Sequence, residues 1–418
     1  MMLIPEAWQN HKAMSDEKKA FYEFHASMME PWDGPASIAF SDGSCIGAVL
    51  DRNGLRPSRY TVTEDDWVIM ASETGVLDVA PENVRYKGRL QPGRMFLVDI
   101  EKGRIVDDEE IKSEICAKKP YRQWLTENLV PLDRLPAPGR EAPEEALPLT
   151  TRQKVFGYST EDMKIILTPM AVDGKEAIGS MGDDIPPAIL SSRPRQLFDY
   201  FKQLFAQVTN PPLDAIREEL VTSLATTIGA EQDLFKETPR HCRQLKLEHP
   251  VLSASQFDKI RAMDAGDIRS VTLPMLFPVA AGGEGLRRAM EELCREASRA
   301  LQRGAAILIL SDRGVNKDMA PIPSMLATAG VHHHLIRKGL RTLCGIVVDT
   351  GEARETHHLC CLIGYGAGAV NPYLVYETLG EMAAGGELGE LSPETAIRHY
   401  IKAAGLGVLK VMSKMGIS

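Results

Sequence analysis

From residue 271 onward, short apolar runs alternate with long amphipathic ones, and that alternation restricts the fold more than any other feature of the chain. TLPMLF (272–277) precedes a helical pattern over 286–303, AAILIL (305–310) precedes one over 324–340, and GIVVD (345–349) follows. HLCCLIG (358–364) reads as a further strand ahead of a helix over 372–384. Apolar strands separated by helices of this length pair in parallel through crossover connections. This half is expected to be an α/β domain with a parallel sheet and flanking helices. In such a strand Cys360 and Cys361 point to opposite faces.

The first third has another texture. A helical pattern over 14–30 gives way to a Pro/Gly break at 31–35, then to the β-like runs SIAF, CIGAVL, RYTVT, DWVIMAS and RMFLVDI, separated by SDG, RNG, TED and KGR. Turns at this spacing predict antiparallel pairing, with Asn53-Gly54 as a hairpin turn and Pro57 at an edge. Helical character resumes over 113–130. The run 131–149 then carries five prolines and little apolar periodicity, which marks a connection between domains. Beyond it, helices are expected over 160–175, 194–207 and 212–229. At the far end Ser392 and Pro393 open another helix, with no core of its own to follow.

At 418 residues the chain has room for two or three domains, and 44% apolar with 25% charged residues is the composition of a folded protein. A net charge of −9 and the lack of a long basic run argue against nucleic acid as a partner. No apolar run reaches bilayer-spanning length, so no membrane insertion is expected. Seven cysteines without a CxxC pair read as reduced thiols of a cytoplasmic protein.

Several motifs invite chemistry. SDRG (311–314), FPVAAGGEG (277–285), DTGEARE (349–355) and GYGAG (364–368) are all expected just past the C-terminal ends of parallel strands, where open α/β sheets gather ligands. The candidates are Asp312, Arg313, Glu352, Arg354, Gly364 and Gly366; the competing reading is solvated loops with a structural ion pair. GYGAGA fits a dinucleotide fingerprint, but Asn371 and Pro372 start the next helix after the glycines, and no acidic residue ends a following strand. A tight backbone crossing is the better reading. His332, His333 and His334, with His357 and His358, lack the spacing of a helical zinc site. Asp183 and Asp184 read as helix caps rather than metal ligands.

Taken together, the segments EPWDGPASIAFSDG, LDRNGLRPSRY, ASETGVLD, FGYSTEDMKIILTPMA, GSMGDDIP, YFKQLFAQVTNPPLDAIRE, ILSDRG, VHHHLIRKGLR, LIGYGAGAVNPYL and YIKAAGLGVLKVMSKMGIS resemble the large chains of glutamate synthases, in order and over the whole length. That resemblance implies the later part of a class II glutamine amidotransferase domain of α+β fold over about 1–120, a Pro-rich connection over 121–155, a central domain over 156–372, and the opening of an FMN-binding barrel over 373–418. It also implies a parent that hydrolyses glutamine, carries ammonia through a tunnel to 2-oxoglutarate, holds FMN and an iron–sulfur cluster, and takes electrons from ferredoxin or a pyridine-nucleotide-oxidising small subunit. The family's nucleophilic cysteine and oxyanion-hole Asn-Gly have no counterpart here, so Asn53, Gly54 and Arg56 are assigned a structural turn and no catalytic residue is expected. With neither flavin nor cluster ligands matched, the chain is expected to be a scaffold without cofactor. Its open sheet edge over residues 35–100 gives a route to self-association.

Overall fold

The structure, a computed structural model, describes residues 1–9, 11–32, 34–138, 146–177, 186–202, 213–265 and 268–417. It divides into two compact units: Met1–Glu127, Val208–Ser223 and Met412–Ser418 form the first, and Asn128–Gln207 with Leu224–Val411 the second.

The first unit begins with helix α1 (Asp16–Ala26), capped by Ser15, whose Oγ accepts from the Lys18 N–H. Strands β1 (Ser37–Ser41), β2 (Cys45–Leu50), β3 (Arg59–Thr63), β4 (Val68–Ala71), β5 (Val84–Arg89), β6 (Met95–Asp99) and β7 (Arg104–Val106) follow. They form two antiparallel sheets, ordered β1-β2-β6-β7 and β4-β3-β5. Ala48, Leu50, Leu90 and Phe96 make the buried cluster of these sheets. Helices α2 (Asp108–Cys116) and α3 (Tyr121–Asn128) replace the single helix expected over 113–130; Pro120 between them has no N–H to continue the ladder.

The Asn53-Gly54 turn corrects the sequence reading. β2 and β3 lie in different sheets, so the turn is not a hairpin but a crossing between them. It is organised by buried Asp51, whose carboxylate accepts the N–H groups of Asn53 (3.0 Å), Leu55 (3.3 Å) and Arg56 (3.4 Å). Gly54 has φ +67°, and a Cβ there would lie 2.5 Å from the Pro92 ring.

A buried ion cluster ties α2 to the N-terminal segment. Lys112 Nζ, 1% exposed, sits 2.6 Å from Glu6 Oε1, 2.9 Å from Asp108 Oδ2 and 2.9 Å from the Gly93 carbonyl. Tyr22 donates to the same Glu6 oxygen, and Asp108 Oδ1 accepts the Met95 N–H.

In the second unit, β8 (Val130–Pro131) is followed by α4 (Leu149–Val155), a π-helical turn (Asp162–Leu167) and α5 (Thr168–Asp173). α6 (Ala215–Val221) is a short helix of the first unit, and β9 (Thr226–Ile228) stands where the sequence reading extended one helix over 212–229. Thr222 ends that helix in an extended conformation, and the β-branched Thr226, Thr227 and Ile228 suit a strand. β10 (Leu245–Leu247) pairs with β9 and β8. Then come α7 (Ala254–Arg261), β11 (Asp264–Ala265), β12 (Ile268–Pro274), β13 (Leu276–Pro278), α8 (Gly282–Gln302), β14 (Ile307–Ser311), β15 (Met319–Pro321), α9 (Ser324–Arg337), β16 (Gly345–Asp349), α10 (Thr356–Gly364), β17 (Ala369–Asn371), α11 (Tyr373–Ala384) and α12 (Pro393–Met415).

The main sheet runs β11-β12-β14-β16-β17, parallel from β12 to β17 with β11 antiparallel at its edge. Every residue of β14 and β16 is buried, as a parallel sheet covered on both faces requires. One face packs Ile307, Ile309, Val347 and Ala369 onto Leu252, Phe257 and Ile260.

HLCCLIG is not a strand. It lies in α10, and the strand of this repeat is the three-residue β17. A short apolar run has no periodicity to separate a buried helix from a buried strand. Cys360 and Cys361 are therefore about 100° apart around a helix rather than on opposite faces. The segments around Asp183–Asp184 and 203–212 lie outside the described residues.

Replacing Lys112 by Ala takes the shared cation from buried Asp108 and half-buried Glu6. The expected cost is about 3–5 kcal/mol, read as an earlier urea transition of near-UV dichroism; Lys118→Ala serves as the exposed control.

Candidate functional site

Ser311, Asp349 and Asn371 are register partners at the C-terminal ends of β14, β16 and β17. The ladder continues one residue further, with Asp312 N–H to the Asp349 carbonyl (3.1 Å) and Thr350 N–H to the Asn371 carbonyl (3.0 Å). Both carboxyls are thereby fixed beneath the strand ends. Asp349 Oδ2 accepts from Ser311 Oγ (2.7 Å) and Arg313 Nε (3.0 Å). The Arg313 guanidinium also lies 3.8 Å from the Tyr373 ring centroid, and its Nη1 is 3.7 Å from Glu377, the partner of Arg152. Asp312 accepts from Thr350 Oγ1, from Gly351 N–H (3.0 Å) and from Tyr373 OH (2.8 Å). Burial pushes Asp312 up to about 8 and Asp349 up to about 6; donors to both, and Arg313 beside Asp349, pull the other way.

Glu352 is spent on a helix terminus. Its Oε2 accepts the Ser324 N–H (2.8 Å) and hydroxyl (2.6 Å) at the start of α9. Arg354, 5% exposed, donates to the carbonyls of Phe156 (3.2 Å), Gly157 (2.9 Å) and Glu352 (3.2 Å). It also pairs with Asp162 at 3.3 Å and lies over the Tyr158 ring at 4.6 Å. The segment Leu149–Tyr158 is thus drawn onto the strand edge. Gln153 donates to Thr378 (3.0 Å), and the Phe156 ring stands edge-on to Tyr373. The same ring lies against Gly351, where a Cβ would come within 2.7 Å of it. Each expected charged candidate at this edge faces protein.

Gly364 and Gly366 are elsewhere, which corrects the placement of all four motifs on one edge. They precede β17, so they lie at the N-terminal end of the parallel strands. Gly366, with φ +106°, offers its carbonyl to Arg341 Nη2 (3.0 Å), and a Cβ there would lie 2.2 Å from His332. This is a close crossing of backbone and side chain. His332 also takes Arg341 Nε (2.9 Å), His334 meets Ser298 (2.9 Å), His357 meets the Phe198 carbonyl (3.0 Å), and His358 pairs with Glu355 (3.1 Å). Among the described residues, no three His, Cys, Asp or Glu side chains gather as metal ligands. In the first unit, Asn53 is buried with its carbonyl taking Arg217 Nη1 (3.0 Å), and Arg56 is exposed. Sequence reasoning missed Asp349, Tyr373 and the segment around Phe156. A carboxylate closing the apolar run GIVVD was the available signal for the first.

The description "Glutamate synthase central domain" matches residues 151–418, and "Glutamine amidotransferases class-II" matches residues 1–124. The chain belongs to the glutamate synthase central domain family. It is 52% identical over 418 residues to the glutamate synthase [NADPH] large chain of Bacillus subtilis (strain 168), covering all of this chain and 27% of that one. It is 44% identical over 430 residues to the glutamate synthase [NADH] of Schizosaccharomyces pombe, and 42% identical over 438 residues to the chloroplastic ferredoxin-dependent glutamate synthase 2 of Arabidopsis thaliana. All of this chain is covered in both, against 20% and 26% of those relatives. Homology to glutamate synthase thus runs over the whole sequence, and the chain spans between a fifth and about a quarter of the length of these relatives. Among the described residues no helix is long and apolar enough to cross a membrane.

Replacing Arg354 by Met would leave Asp162 and the carbonyls of Phe156 and Gly157 without their shared donor. A loss of about 3–5 kcal/mol is expected in urea unfolding of the second unit, with new tryptic cleavage after Lys154.

Proposed function

We propose that this chain serves a glutamate synthase as a non-catalytic scaffold, setting the spacing between a glutaminase site and a synthase site and bracing the passage of ammonia between them. In this reading the parent converts glutamine and 2-oxoglutarate to two glutamates in the cytoplasm, for ammonia assimilation. The antiparallel sheets of the first unit are part of a class II amidotransferase α+β fold, and an FMN-binding barrel opens within residues 373–418, a stretch that the central-domain match also takes in. FMN, an iron–sulfur cluster and the contacts to ferredoxin or a small subunit are assigned to other parts of the parent. Phe40 and Ile46, 44% and 52% exposed on the β1-β2 ribbon, are where self-association would centre.

The observation that carries the reading is the filled strand edge. Asp312, Arg313, Glu352 and Arg354 hold the chain's own backbone, helix start and aromatic rings. That disfavours the alternative of an independent small-molecule binding protein using this edge. Four of the seven thiols point the same way. Burial pushes Cys116, Cys344 and Cys361 up to about 11 and Cys360 up to about 12, whereas a cysteine that attacks glutamine has to reach the thiolate at neutral pH. Among the described residues no group of three or more His, Cys, Asp or Glu side chains is placed to hold a metal ion.

The purified chain should release glutamate from glutamine no faster than buffer does, measured by coupled glutamate oxidation at pH 7. A robust rate above buffer would reject the non-catalytic reading, and its loss in Cys45→Ala would tie the rate to this chain and identify the nucleophile.

A further inference from the structure

Asp312 is a buried carboxyl whose hydrogen-bond partners are all neutral: the Thr350 hydroxyl, the Gly351 N–H and the Tyr373 hydroxyl. Among the described residues no cation lies within ion-pair distance of it. Arg313 is committed to Asp349, and Arg354 to Asp162 and three carbonyls. A short piece of chain packs against the groups that hold Asp312. The Phe156 ring packs on Gly351 and stands edge-on to Tyr373, so one side chain covers two of the three groups that hold the carboxyl.

We propose that Asp312 is a proton-controlled latch for the segment Leu149–Tyr158: protonated, it tolerates the segment docked over the strand edge, and ionised, it favours lifting of the segment so that water reaches the carboxylate. The inference concerns this chain alone and does not rest on the family reading.

The charged and titratable groups around Asp312 leave it as the responsive one. Asp349, Tyr373 and Tyr158 act on it directly; around them lie Arg313 on Asp349, Glu377 and Arg152 beyond Arg313, Arg354 and Asp162 beside Tyr158, and Glu352, whose N–H donates to Thr350. Burial, helped by the neighbouring Asp349 charge, lifts Asp312 to about 8 against the pull of its donors Thr350, Gly351 and Tyr373. Asp349, at about 6, ionises earlier, and burial carries Tyr158 and Tyr373 above their ordinary value. The hydroxyls of Thr350 and Tyr373 can each donate to the carboxylate or accept its proton, so neither state strands a partner.

The sign follows from linkage. Exposed to water, a carboxyl titrates at about 3.9; docked, Asp312 holds its proton up to about 8. Between these values lifting releases one proton, so the opening constant rises about tenfold per pH unit and levels off above the upper value. Docking is firmest in acid and weakest above pH 8.

Hydrogen exchange of the whole chain from pH 5 to 9, read by mass spectrometry and corrected for chemical exchange with a peptide from α8, tests this. The expected result is an opening constant for 149–158 that climbs about tenfold per pH unit to a plateau near 8. Asp312→Asn should flatten it, and Tyr373→Phe, which removes a donor to the carboxylate, should move the plateau upward. A wild-type slope no steeper than that of α8, or an unchanged slope in Asp312→Asn, overturns the proposal. Should the Asn variant fail to fold, the wild-type slope and the Tyr373→Phe displacement decide.

Discussion

A guanidinium taken out of water needs its N–H groups matched, and Arg354 finds most of its matches in one short piece of chain. Two of its acceptors are consecutive backbone carbonyls, Phe156 and Gly157, some two hundred residues earlier in the sequence. Its own carbonyl takes the Tyr400 hydroxyl of α12. Through this one residue, by its side chain and its own carbonyl, the segment after the Pro-rich connection, the loop after β16 and the last helix are held to the same strand ends. Phe156 and Tyr373 then close over Asp312, and Arg152 meets Glu377. The arrangement spends polar groups on internal bonding where open α/β sheets commonly present them to a ligand.

The alternation that identifies the second unit was legible because β14 and β16 are buried on both faces and read as unbroken apolar runs between long amphipathic helices. The same rule misled at HLCCLIG. An apolar helix buried on most of its surface carries no periodicity, and the true strand, β17, is three residues long and follows a glycine-rich stretch. Asn53-Gly54 has the residues of a hairpin turn, but Asp51 gathers the backbone N–H groups and sends the chain into a second sheet. Turn chemistry is local; which strand comes next to pair is not.

At the strand ends the residue types were visible and their duties were not. Asp312, Arg313, Glu352 and Arg354 could be picked out as charges past apolar runs. That Glu352 caps α9, and that Arg354 holds Phe156 and Gly157, depends on partners 28 and 197 or 198 residues away. Gly364 and Gly366 lie at the other edge because α10 is a helix, which turns the order strand–glycines–helix into helix–glycines–strand. Family resemblance supplied the context that spacing alone did not, and the matches to the glutamate synthase central domain and class II amidotransferases agree with it.

The central claim is that the strand edge is closed by the chain's own segment and serves architecture rather than ligand binding. Thermal unfolding in the presence of 2-oxoglutarate, glutamine, FMN or adenine nucleotides tests it most directly. Unchanged melting at millimolar ligand is the predicted result. Stabilisation approaching about 2.7 kcal/mol, the value for a hundredfold excess over Kd, abolished when Arg313 or Arg354 is replaced, would contradict it.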